Sequence, residues 1–124
     1  MSENSSEALT EFLKEQVGRH LRSVIFYDDT GGEVIYVRDD VADEYTDEDV
    51  SEVVQDVRLE AVDKPHQESL YVHGPLECTL RLFGDAVELH FPHDETSGTA
   101  VALDGEVFPM HNTFVEQCLD AMGE

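Results

Sequence analysis

The chain has 124 residues, the length of one ordinary domain, and 40% of them are hydrophobic, enough to bury a core without disulfides or a metal. Its 29 acidic residues against 7 Lys and Arg give a formal net charge of −22, which excludes a basic stripe for neutralising nucleic-acid phosphates. The acids are interleaved with periodic apolar positions, which excludes a disordered acidic tail, and no apolar run approaches the ~20 residues of a membrane span.

In dilute buffer this much like charge opposes compaction. At ~1 M salt the Debye length is about 3 Å, and an acidic coat then keeps a protein hydrated and dispersed. Acid excess with only two lysines, Lys14 and Lys64, is a halophilic composition. No secretory leader is seen, and Cys78 and Cys118 fall at inward positions of their elements, so both are expected as reduced core thiols of a cytoplasmic protein. Residues 1–5 are expected to be a flexible start, and 6–124 a single domain.

A first helix is expected from a cap at Ser5 or Ser6, with Leu9, Phe12, Leu13, Val17 and Leu21 on one face. Val24 to Tyr27 and Val34 to Val37, around Gly31-Gly32, predict a hairpin. Neither run alternates, which predicts strands covered on both sides at the centre of the sheet. Thr46-x-x-Asp49 predicts a capped second helix carrying Val50, Val53, Val54, Val57 and Ala61 at helical spacing. Lys64-Pro65 is expected to end it, with a connector over residues 65–75.

Leu76, Cys78, Leu80 and Leu82 alternate with polar residues, as do Val87, Leu89 and Phe91. A two-residue turn at Gly84-Asp85 sets Leu82 opposite Val87, Leu80 opposite Leu89, Cys78 opposite Phe91 and Arg81 opposite Glu88. One register satisfies both faces. Thr99 to Leu103 predicts a further strand. Thr113-x-x-Glu116 predicts a capping box for a last helix whose inward face is Phe114, Val115, Cys118, Leu119 and Met122.

The expected architecture is α+β: a five-stranded antiparallel sheet with three helices, in the order αββαβββα. That order resembles the roadblock/light-chain-7 fold, a relative of profilin-like folds. The runs Leu21-Arg22-Ser23-Val24-Ile25-Phe26-Tyr27, Tyr36-Val37-Arg38-Asp39-Asp40-Val41 and Val87-Glu88-Leu89-His90-Phe91 resemble a group of short, acidic, functionally uncharacterised haloarchaeal proteins. That resemblance implies a lineage and no activity.

Of the six histidines, His90 and His93, beside Asp94 and Glu95, are the metal candidates. They are only two ligands of the three or four a zinc needs, and solvated surface histidines are the favoured reading. No nucleophile elbow or phosphate-binding loop is present, so neither catalysis nor a cofactor is expected. Arg38, just past a strand, is expected to anchor that strand end to the neighbouring acids.

The leading expectation is therefore a non-enzymatic regulatory or scaffold module. It would act by homodimerisation and by binding an unidentified protein, with Val50, Val53, Val54, Val57, Glu77 and Arg81 at the contact. The dimer surface, the middle helix and an edge strand, is what the roadblock resemblance implies. The alternatives are a small-molecule sensor, with Phe26, Tyr27 and Tyr36 lining a pocket between sheet and helices, and a metal protein using His90 and His93.

Overall fold

The computed structural model of the chain describes residues 3–107 and 109–123. Helix α1 (Glu3–Val17) leads through a 3-10 turn into the hairpin β1 (Leu21–Asp28) and β2 (Gly31–Val37). Three helices follow: α2 (Asp39–Ala42), α3 (Asp47–Val62) and α4 (Lys64–Leu70). The chain then forms β3 (Thr79–Leu82), β4 (Ala86–Pro92), β5 (Gly98–Asp104), a second 3-10 turn and α5 (Pro109–Ala121). The fold is α+β, with one open five-stranded sheet in the order β2-β1-β5-β4-β3 and every neighbouring pair antiparallel.

The sequence placed the centre of the sheet only partly: β1 is paired on both sides and Val24 to Tyr27 are buried, as expected, but its hairpin partner is not central. Strand β5 lies in the middle with six of its seven residues buried, while β2 is an edge and is mostly exposed. An apolar run such as Val34 to Val37 does not by itself distinguish an edge strand from a central one. The late hairpin keeps its expected register, with Leu80, Arg81 and Leu82 opposite Leu89, Glu88 and Val87. It begins at Thr79 rather than Leu76, so Cys78 has no place opposite Phe91 in the ladder.

Five α-helices among the described residues replace the expected three. The capping box at the start of α3 forms as expected: Asp49 N–H donates to the Thr46 hydroxyl at 3.0 Å, and Thr46 N–H donates to the Asp49 carboxylate at 2.9 Å. Pro65 does not begin a loop. It sits in the first turn of α4, where its missing N–H is unused and its φ already suits a helix. Helix α1 is already under way at Glu3, so Ser5 and Ser6 are not its caps. Met1 and Ser2 lie outside the described residues.

Each face of the sheet has its own core. On one face Leu21, Val24, Val101 and Leu103 meet Leu9, Leu13 and Val17 of α1. Beside them runs a polar chain: Ser6 Oγ to Thr99 Oγ1 at 2.7 Å, and Thr99 Oγ1 to His93 Nε2 at 2.7 Å. On the other face Ile25, Tyr27 and Ala100 meet Val54, Val57 and Ala61 of α3, with Val50 packed against them.

The last helix departs most from expectation. Helix α5 runs from Pro109, so Thr113 and Glu116 fall within it rather than at its start. Phe114, Val115, Cys118, Leu119 and Met122 are exposed rather than packed inward. The spacing correctly gives one apolar side but carries no information about what that side meets. Cys118 is thus a surface thiol, and Cys78 is half-buried.

Candidate functional site

The two faces of β5 differ in side-chain size. Thr99, Val101 and Leu103 point toward α1, while Ala100 and Ala102 point toward α3. Ser23 of β1 and Ala86 of β4 continue the row of small residues. Helix α3 covers only part of this surface, through Val54, Val57 and Ala61. The remainder is an open groove of about 1070 Å³ between α3, the α2 turn and the sheet.

The floor of the groove is Ser23, Ile25, Ala100 and Ala102, and its apolar walls include Val37, Val41, Val53 and Phe83. A β-bulge places two residues of β1 at its end: Leu21 pairs with Leu103 and Ser23 with Ala102, leaving Arg22 as the extra residue. Arg22 donates to Glu44 at 2.9 Å and lies 3.5 Å from Asp104. On the opposite wall Arg81 donates to Asp56 at 3.0 Å and Glu60 at 2.7 Å, clamping β3 to α3. Glu88, the expected cross-strand partner of Arg81, lies between these walls, and burial raises its carboxyl above the usual range.

At the closed end the groove meets a second cavity of about 330 Å³ under α4, and Glu60, Thr79 and His90 line both. His90 is not the solvated outward residue expected from strand alternation. It is only 4% exposed, because α3 covers the side of β4 on which it lies. Its Nε2 is 2.6 Å from the Tyr27 hydroxyl. Burial pushes the Tyr27 phenol up and the His90 imidazole down, so both stay neutral. The Tyr27 hydroxyl also lies 3.4 Å from the Val57 carbonyl, to which it can donate, so the direction of the Tyr27–His90 bond follows the tautomer of the ring. Nδ1 has no hydrogen-bond partner, with the Glu60 carboxylate 3.6 Å away.

His93 is on the opposite face of the sheet, stacked on Phe26 and bonded to Thr99. His90 and His93 therefore cannot share an ion. Among the described residues, one trio has potential ligand atoms close together: His20, Asp104 and Glu106. Asp104 is already occupied. Arg38 donates to its two oxygens at 2.8 and 3.1 Å, and His20 lies at 3.2 Å. With the Arg38 hydrogen bonds leading, this carboxyl falls to a pKa of about 2. Two guanidiniums at a carboxylate repel a metal cation. Arg38 also grips Asp40 at 2.6 and 3.0 Å, so it anchors the end of β2 as the sequence suggested.

The expected interaction residues separate on the structure. Val54 and Val57 are buried in the monomer, whereas Val50 is half-buried beside them and lines the groove, as does the edge of Val57. Val53 and Arg81 face the groove, and Glu77 is exposed just before β3. Of the three aromatics expected to line a pocket, Tyr27 is fully buried beneath α3, and Phe26 and Tyr36 pack on the α1 side. A pocket between sheet and helices was among the expectations, but the floor of small residues that lines this groove was not read from the sequence. Its one signal is the alternation of small and large residues in Thr99-Ala100-Val101-Ala102-Leu103.

A family model described as a domain of unknown function (DUF7522) matches residues 7–123. The chain belongs to that family. Its match spans α1 through α5, so the groove, the Asp104 cluster and the Tyr27–His90 pair all lie within one DUF7522 domain. No curated protein and no solved structure matches the chain. Among the described residues, no helix is long and apolar enough to cross a membrane.

Proposed function

We propose that this DUF7522 domain is a non-enzymatic regulatory or scaffold module that binds a segment of another protein in the groove beside α3 and works as a homodimer. The observation that carries the reading is the groove itself: an apolar, small-residue floor left uncovered by α3, inside an acid-rich rim where Arg81 pairs with Asp56 and Glu60 and Arg22 pairs with Glu44. A catalytic site needs an accessible group poised to react. Here the neutral pair Tyr27 and His90 reaches the groove only through His90, which is 4% exposed, while Tyr27 is fully buried under α3. An open groove suits a chain segment, whereas pockets for small molecules enclose most of their ligand.

The roadblock-like order of elements supports a scaffold role, and the acidic composition supports work in the cytoplasm of a halophile. The test is capture from the organism's own extract in ~2 M KCl, using wild type and Ala102→Leu. The leucine fills the groove floor without adding charge. A protein retained by wild type and released by Ala102→Leu fits the proposal; identical retention by both refutes it.

A second reading is a small-molecule sensor. It is favoured by the 330 Å³ cavity, which is of ligand size and meets the groove at His90. Native mass spectrometry of protein purified in high salt distinguishes it, since a bound small molecule adds a discrete mass.

A further inference from the structure

The cavity under α4 differs from the groove in its charge. Glu60, Asp63 and Glu68 line it and no Lys or Arg does, whereas Arg22 and Arg81 stand on the groove walls. One side is aromatic: Tyr71 and His73, both exposed, stack with ring centroids 5.5 Å apart. On so acidic a chain three carboxylates alone would carry no meaning. His90 supplies an independent sign of a ligand. It lines the cavity and is only 4% exposed, yet its Nδ1 has no hydrogen-bond partner. Nε2 is turned to Tyr27, so Nδ1 is turned the other way, toward the Glu60 carboxylate that lines both cavity and groove. A buried polar atom left unsatisfied costs stability until something supplies its partner.

We infer that the cavity binds an organic cation, an ammonium or guanidinium group whose nitrogen donates to His90 Nδ1 and to the Glu60 carboxylate. This rests on the reading of the cavity as a ligand site and stands whatever the groove binds. One tautomer of His90 completes the network. With the ring proton on Nε2, His90 donates to the Tyr27 oxygen at 2.6 Å, and Tyr27 donates to the Val57 carbonyl at 3.4 Å. Nδ1 then holds a lone pair beside Glu60 Oε1, 3.6 Å away. A nitrogen placed between them donates to both, and no polar atom of that chain is left over.

A metal ion is the poorer occupant. Among the described residues, the trio with ligand atoms close enough to share an ion is His20, Asp104 and Glu106, at the end of β5. The carboxylates of the cavity stand further apart, which suits a ligand several atoms long. Tyr71 offers a ring face to a cation. Asp63 and Glu68, already bonded to Gln67 and Lys64, add negative potential. A volume of about 330 Å³ is at the small end of ligand pockets, which suits a short diamine or one arginine side chain.

The probes are 1,4-diaminobutane, a free cation, and N-acetyl-Leu-Arg-Leu amide, a cation carried on a chain segment, with 1,4-butanediol as the uncharged control. Calorimetry of the full chain in ~2 M KCl, where diffuse attraction is screened, is expected to show one site for at least one cation and none for the diol. Glu60→Gln and Tyr71→Ala are each expected to weaken that binding at least about tenfold. Glu60→Gln keeps an oxygen for Arg81, and Tyr71 is 60% exposed, so both variants keep the fold. Glu52→Gln, at an exposed acid that lines the groove but not the cavity, is expected to leave binding unchanged. Nitrogen-15 spectra of the His90 ring are expected to show the proton on Nε2 and a shift of the Nδ1 resonance as the cation is added. Tighter binding of the peptide makes the cation a side chain of the groove's segment, and tighter binding of the diamine makes it a free metabolite; both orders support the cation site. No binding of either cation at ~10 mM, equal loss in Glu60→Gln and Glu52→Gln, or a ring proton on Nδ1 with the cation bound overturns it. An uncharged molecule found in the cavity by mass spectrometry and loss on Tyr71→Ala overturns the cation and keeps the sensor reading.

Discussion

Replacing Asp104 by Asn tests the ion cluster that fastens the end of β5. The substitution keeps the shape and removes the charge that faces Arg38, Arg22 and His20. Its pKa of about 2 lies nearly two units below the ordinary 3.8. At 1.36 kcal/mol per unit that shift corresponds to about 2.5 kcal/mol. The side chain is 19% exposed and the solvent is salty, so we expect about 1–2 kcal/mol. Because the folded-state pKa is depressed, the contribution is complete above about pH 5 and is lost as pH falls toward 2, with roughly 1 kcal/mol gone by pH 3. The assay is urea unfolding of wild type and Asp104→Asn at pH 7 and pH 3 in ~2 M KCl. The stability gap should narrow at pH 3. A gap of the same size at both pH values, or none at pH 7, would refute the reasoning.

Four further outcomes follow from the structure and the composition. Tyr27→Phe should cost about 1–3 kcal/mol, because it leaves the buried His90 Nε2 without its hydrogen-bond partner. Burial holds the His90 pKa below 6.5, so the unfolded chain takes up the proton first and wild-type stability should fall as pH drops below about 6.5. His90→Gln should flatten that slope between pH 7 and 5 in urea titrations. Gly98→Ala should cost about 1–3 kcal/mol, since a Cβ would lie 2.8 Å from Tyr27 Cζ and 2.9 Å from Phe91 O. Its cost should be smaller in a Tyr27→Phe background, where the closest clashing atom is absent. Finally, a chain of net charge −22 should melt well below its molar-salt midpoint in ~50 mM KCl; an unchanged midpoint refutes the halophilic reading.

The late hairpin was legible because its alternation and turn agree on one register, and the α3 cap because its two residues act locally. Position in the sheet was not, since Val34 to Val37 and Thr99 to Leu103 look alike until the order of pairing is known. His90 was misread for a related reason. Alternation placed it opposite the Leu89 face correctly, but that other face is also covered, by α3. Pro65 was read as a stop because a helix-breaking residue also opens helices. The groove depends on what is missing above Ala100 and Ala102, and no local pattern records an absence of cover. The apolar side of α5 was legible, but not where it packs.

The most direct measurement is a photo-crosslinking residue placed at Val53, inside the groove, compared with the same residue at Leu59, an exposed position of α3 that does not line the groove. The account predicts a discrete covalent adduct with another protein from position 53 in cells and none from position 59. Adducts of equal yield from both positions, or none from 53, would contradict it.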